Sequence, residues 1–154
     1  MLVGAAAPQA QSLIFKIHNR ERLSLGIPPL RWDDELAADA EQWAEHLATT
    51  RTFEHFEEMS DDPDAQGENL WMGTKGAFSP ATMVGHWIAE KEVFVRGSFP
   101  DNSRTGDVED VGHYTQIVWR RTERIGCAIA DDGQDEYLVC RYAESGNVIG
   151  EQPY

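Results

Sequence analysis

No run in this sequence approaches the roughly 20 consecutive apolar residues that a helix needs to cross a bilayer, so no transmembrane segment is predicted. Basic residues are scarce: 13 lysines and arginines stand against 27 aspartates and glutamates, a formal net charge of −14. That balance excludes charge-driven binding to nucleic acid or anionic lipid headgroups. Cysteine is nearly absent, with two in 154 residues, too few for a small disulfide scaffold. The opening Met-Leu-Val-Gly-Ala-Ala-Ala lacks the basic start and long apolar centre of an intact signal peptide. It reads as the trimmed remnant of one, or as an added start. No Gly-x-Ser-x-Gly nucleophile elbow occurs, and neither cysteine has a setting that activates a thiolate. The acidic stretch with Glu57, Glu58, Asp61, Asp62 and Asp64 lacks the ordered ligand spacing of an EF-hand. It reads as a solvated loop rather than a calcium site.

What is present is enough for one globular domain, with 41% hydrophobic and 10% aromatic residues. We expect residues 1–9 to be disordered or processed and residues 10–154 to form that domain. Leu13, Ile14 and Ile17 predict a helix from about Ala10 to Leu25, closed by Gly26, with His18 as a structural residue on it. Ile27 to Trp32 holds two prolines and reads as an extended connector. Asp33 or Asp34 then caps a second helix running to about Thr49, whose core stripe is Leu36, Ala40, Trp43 and Leu47, with His46 on its flank. A loop follows, and Gly67 to Trp71 reads as a short strand. Ser79-Pro80 signals a third helix start, and Met83, Trp87, Glu90 and Phe94 share its inner face. Residues 96–111 form a long loop. Ile125, Cys127 and Ile129 alternate, as do Leu138, Cys140 and Tyr142, predicting a β-hairpin around Gly133 that sets Cys127 opposite Cys140. That register permits a cross-strand disulfide, with a free buried pair in a reducing compartment as the alternative. The order of elements does not alternate as βαβ units do, so the class is α+β with an antiparallel sheet between helices.

Four polar residues stand where packing alone would not put them: His55, Glu68, Glu90 and His113. His55 lies between Phe53 and Phe56. Glu68 enters a strand beside aromatics, where an unpaired carboxylate would be expensive to bury. Glu90 interrupts an apolar stripe and needs a structural donor or a cation; His86, four residues before it, offers a rival ligand pair. His113 follows Gly112, where the backbone is expected to turn sharply, and precedes Ile117, Val118 and Trp119. Such a histidine at the edge of a core suits a metal ligand, an acid/base group or a structural hydrogen bond.

Several segments resemble the CAP superfamily of cysteine-rich secretory proteins, antigen 5 and pathogenesis-related proteins, also called the SCP domain. They are His18-Asn19 with Leu30-Arg31-Trp32, Gly67-Glu68-Asn69-Leu70, Trp87-Ile88-Ala89-Glu90, Gly112 to Trp119, and Cys140 to Val148. The resemblance covers nearly everything after residue 10. It implies a three-layer α-β-α sandwich with a central antiparallel sheet and an open cleft, whose histidines map to His55 and His113 and whose acids map to Glu68 and Glu90. It further implies that His55 and His113 bind Zn²⁺ or another divalent cation while Glu68 and Glu90 act through water. The expected protein is secreted, extracellular or periplasmic, and engages a lipid or sterol, a glycan or a protein without being an enzyme. The alternative is a zinc-dependent peptidase or esterase with Glu68 or Glu90 as general base. With one possible cysteine pair the chain resembles the reduced, bacterial members. Ser145 replaces the proline of many relatives, and Gly97 to Asp110 lacks the cysteines of plant ones. The latter weakens any carry-over of loop-borne lipid or antifungal activity.

Overall fold

Alternation along two strands sets the architecture. In β3 (Arg124–Asp131) and β4 (Asp135–Ala143) most residues are buried, but consecutive side chains enter different cores. Ile125, Cys127, Leu138, Cys140 and Tyr142 join one apolar cluster; Ala128, Ala130, Tyr137 and Val139 join another. The sheet is therefore covered on both faces. The computed structural model describes residues 7–57 and 62–154.

One covering layer is α2 (Asp34–Thr50), whose Ala40, Ala44, Leu47 and Ala48 fill the second cluster. Asp33 is its N-cap, accepting from the amides of Glu35 and Leu36 at 2.8 and 3.0 Å. Those bonds and Arg124 hold the Asp33 carboxyl below the usual range. Small residues bring α2 very close to the sheet. A Cβ on Gly126 would lie 2.1 Å from the Ala37 amide nitrogen, so only glycine fits there. The other layer contains α1 (Ala7–Ser24), α3 (Pro80–Ile88) and the short α4 (Gly112–Ile117). From it Ile14, Met83, Trp87, Tyr114 and Ile117 fill the first cluster. The result is the expected α-β-α sandwich.

The sheet has the order β1-β3-β4-β2, with β1 at Arg31–Trp32 and β2 at Gly67–Thr74. It is mixed rather than wholly antiparallel. The extended connector after α1 adds two residues in parallel to β3, because it runs back along that strand before α2 begins. The β3–β4 hairpin pairs Cys127 with Cys140, and the two form a disulfide with both residues fully buried.

Some boundaries differ from expectation. Helix α1 begins at Ala7, before the predicted Ala10; residues 1–6 lie outside the described residues, as do Glu58 and Asp61. Strand β2 continues to Thr74, paired with Asp135. The third helix loses α geometry at Ile88 and tightens into a 3₁₀ turn, Ala89–Glu92, which carries Glu90. Gly112 does not make a sharp turn. It opens α4, with no unusual backbone angle and no close neighbour.

Arg22, which the sequence pattern did not mark, is fully buried on α1. Its guanidinium faces carbonyls instead of a carboxylate: Pro28, Ile117, Trp119 and Thr122, all at 2.8–2.9 Å. Ile117 ends α4, where carbonyls lack intrahelical partners and the helix dipole is negative. Arg22 thus fastens α4 and the chain after it to α1. Burial pulls its pKa down to about 10, which leaves it charged at neutral pH.

Candidate functional site

Strand β2 is an edge of the sheet, and its first residues divide between the two layers. Leu70 joins the α2 cluster and Trp71 the opposite one, so Glu68 faces the α2 side while Asn69 faces the α4 side. Gly67 leads the strand because Gln116 packs against it. A Cβ there would lie 2.1 Å from Gln116 Oε1.

On the α2 side, Glu68 clamps the segment after the helix. Its Oε1 accepts from His55 Nδ1 at 2.8 Å and from the Phe56 amide at 3.0 Å. On the α4 side, Glu90 does the same to the start of α4. Its Oε2 meets His113 Nδ1 at 2.7 Å, and its Oε1 accepts from the Tyr114 amide at 2.9 Å. Each pair has one design: a carboxylate holds a histidine Nδ1 and the amide of the next residue. A carboxylate is an acceptor, so Nδ1 carries a proton, and in the neutral imidazole Nε2 keeps its lone pair. Among the described residues neither Nε2 has a hydrogen-bond partner. The His55 side chain is 65% exposed and that of His113 33%, so both imidazoles are at least partly open to solvent.

The supports of the two pairs differ. Beneath Glu68 lies Arg141, its register partner on β4 and almost fully buried. Arg141 Nε is 2.7 Å from Glu68 Oε2, an ion pair lying off the ideal hydrogen-bond line. Its Nη1 donates to Gln66 Oε1 at 3.0 Å, and its guanidinium lies 4.9 Å from the Phe56 ring centre. His113 stacks on Trp87, rings 5.7 Å apart and 10° from parallel, and Trp87 Nε1 donates to the Leu70 carbonyl.

A buried chain ties the His113 side to the core. Asn69 Nδ2 donates to the His113 carbonyl at 3.1 Å and to the Tyr142 hydroxyl at 3.2 Å. Tyr142 in turn is 2.8 Å from His18 Nε2, while His18 Nδ1 is 2.8 Å from the Ile14 carbonyl. Because a carbonyl only accepts, His18 carries its proton on Nδ1, and its Nε2 accepts a hydrogen bond from the Tyr142 hydroxyl. This chain needs neutral His18, whose burial lowers its pKa to about 4. Burial also pushes the Tyr142 phenol up.

The motif around His113 is held by the C-terminal segment. Thr115 Oγ1 donates to Asn147 Oδ1 at 2.7 Å, Asn147 Nδ2 to the Gly112 carbonyl at 2.9 Å, and the Gly146 amide to Gln116 Oε1 at 3.0 Å. Sequence reasoning passed over Thr115, Gln116, Asn69, Asn147 and Arg141 as site supports. All five nevertheless lie in the segments that carry the family resemblance.

His86 does not serve as the partner of Glu90. Its Nδ1 accepts from Trp71 Nε1 at 2.9 Å, and its ring packs on Trp71 and Phe78. His46 is exposed on α2 and stacks on Trp43. Among the described residues no group of three or more His, Cys, Asp or Glu is placed to hold a metal ion. Glu68 and Glu90 are committed to orienting the imidazoles, so the donors that these four residues would offer a cation are the two Nε2 atoms. Such donors suit a borderline cation whose remaining positions are filled by water.

An α-β-α sandwich whose edge strand carries Gly-Glu-Asn-Leu between two histidine–glutamate pairs defines a CAP domain. The sequence model described as "CAP: Cysteine-rich secretory protein family" matches residues 15–142, and the chain belongs to that family. It is 35% identical over 149 residues to pathogenesis-related protein 1C of Nicotiana tabacum, covering 96% of this chain and 83% of that protein. With pathogenesis-related protein PR-1 of Medicago truncatula it shares 36% identity over 138 residues, 88% of this chain and 74% of the relative. Two solved structures share the fold. BmVAL-1 superposes with a TM-score of 0.74 at 21% identity, covering 99% of this chain and 84% of the other. NaASP2, solved with Zn²⁺, gives 0.74 at 22% identity, covering 95% and 85%. Among the described residues no helix is long and apolar enough to cross a membrane.

Proposed function

We propose that this CAP domain is a secreted, non-enzymatic binding module whose cleft takes up a divalent cation, zinc being best suited, and engages a hydrophobic small molecule, a glycan or a protein. His55 and His113 would ligate through Nε2, while Glu68 and Glu90 hold the imidazoles in the required tautomer. The observation that carries this reading is the repeated clamp: in both pairs a glutamate fixes Nδ1 and leaves Nε2 without a partner among the described residues. A metal-ligating histidine is commonly oriented by a carboxylate on its other nitrogen in this way. The zinc in the NaASP2 structure is in line with it. A disulfide in the core supports an extracellular or periplasmic location, where such bonds persist.

The same clamp weighs against the hydrolase alternative. Glu68 Oε1 and both oxygens of Glu90 already accept from the protein, and Glu68 Oε2 is buried against Arg141, so each carboxylate is engaged in holding its histidine rather than presented to a water. Two imidazoles are also fewer than the three protein ligands typical of catalytic zinc. Bound metal would supply charge and a polarised water; the residues themselves orient and present the ligands.

Calorimetric zinc titration tests the proposal. Wild-type protein should bind about one equivalent, and His55→Ala and His113→Ala should each weaken binding by at least about tenfold, roughly 1.4 kcal/mol. Binding should also weaken on acidification, because protonated imidazole cannot ligate. Uptake unaffected by either substitution, or constant between pH 8 and pH 5, would remove the basis for the proposal. Zinc-dependent turnover of a peptide or ester, lost in both variants at normal stability, would favour the hydrolase.

A further inference from the structure

The stretch from Thr52 to Glu57 combines features that packing does not explain. Phe53 and Phe56 are 52% and 47% exposed, and His55 between them is largely exposed as well. Isolated exposed apolar residues are ordinary, but here two phenylalanines of about half exposure stand three positions apart on one short segment. The segment is also held firmly. Phe56 is fixed through its amide to Glu68, through its ring over Arg141, and edge-on against Trp43 at 5.2 Å. Trp43 Nε1 donates to the Glu54 carbonyl at 3.0 Å. The aromatic surface is thus displayed on a pinned backbone, which lowers the ordering cost of binding.

Charge narrows the partner. Glu54 and Glu57 alternate with the aromatics and are exposed, and neither has an ion-pair partner among the described residues. Arg51, the basic residue just before the stretch, is engaged with Asp132 at 3.8 Å. Asp62 and Asp64 are exposed beyond it. With a net charge of −14 a second copy of this chain would be repelled, as would an acidic partner.

We propose that Thr52–Glu57 is a docking surface for a cationic, apolar-bearing peptide segment of a partner protein. Its apolar side chains cover Phe53 and Phe56, and its arginines or lysines meet Glu54 and Glu57. This deepens the binding-module reading by naming the protein partner's chemistry, and it needs no metal.

The test titrates wild-type protein, with chelator and separately with zinc, against a synthetic peptide in which arginine alternates with leucine. An oligolysine of equal charge is the comparison. With chelator the alternating peptide should bind several times more tightly than oligolysine, and zinc on His55 should weaken it, because the cation adds positive charge beside Glu54 and Glu57. Phe53→Ser should weaken it about tenfold, and a Glu54→Gln/Glu57→Gln pair should weaken it at low salt more than a Glu35→Gln/Glu41→Gln pair on α2. Amide shifts on binding should centre on residues 52–57. Equal binding of oligolysine, or unchanged affinity in Phe53→Ser, would reduce the effect to net charge and overturn the proposal. Binding of neutral phosphatidylcholine vesicles through Phe53 with none of the peptide would overturn it in favour of a lipid surface. Zinc uptake without peptide binding would sink this proposal alone, and peptide binding without zinc uptake would sink only the metal reading.

Discussion

His18 illustrates how a single buried group ties the cleft to pH. In the fold its imidazole is neutral, with a pKa of about 4; in the unfolded chain it titrates at the ordinary 6.5. Between those values the unfolded state binds a proton that the folded state refuses, so stability falls as pH drops through this window. The full contribution is about 3 kcal/mol from the difference of the two values. Denaturant titrations at pH 7 and pH 4 should show His18→Gln losing less stability than the wild type over this range, with an equal loss excluding the linkage. Arg141 is the second such residue. Arg141→Met would leave Glu68 buried without its cation and should destabilise by about 3 kcal/mol in the same measurement. Little or no loss would mean that Glu68 is held by the His55 segment alone. His55, Glu68, Glu90 and His113 were legible because each broke a local pattern. Arg141 and Arg22 were not, because an arginine in a strand or on a helix ordinarily reaches solvent, and all their partners but the Pro28 carbonyl are residues and carbonyls 73 to 100 positions away.

At the scale of elements, local signals were read well and close approaches poorly. Ser79 accepts from the Thr82 amide with Pro80 in the first turn, as cap and proline chemistry predict. The hairpin register followed from its midpoint, and with it the Cys127–Cys140 bond. The two-residue β1 gave no strand signal, since parallel pairing to β3 depends on a long-range return of the chain. Gly126 is similar: inside an alternating strand it looks like a weak point, yet it is where α2 rests on the sheet. Gly126→Ala should overpack that junction and cost about 2 kcal/mol or more, seen as a lowered melting temperature. An unchanged melting temperature would show that α2 can shift outward freely.

At the scale of the molecule, the sandwich brings two independent histidine–glutamate pairs to one sheet edge from opposite layers. Neither layer could build the site alone, which is why linear spacing could nominate the four residues but not their clamp. The most direct measurement is long-range ¹H–¹⁵N NMR of the imidazole nitrogens during zinc titration. His55 and His113 should both show the Nδ1-protonated tautomer before zinc is added, and both Nε2 resonances should move together to completion at about one equivalent. An Nε2-protonated tautomer in either residue, or a zinc response from only one, would contradict the account.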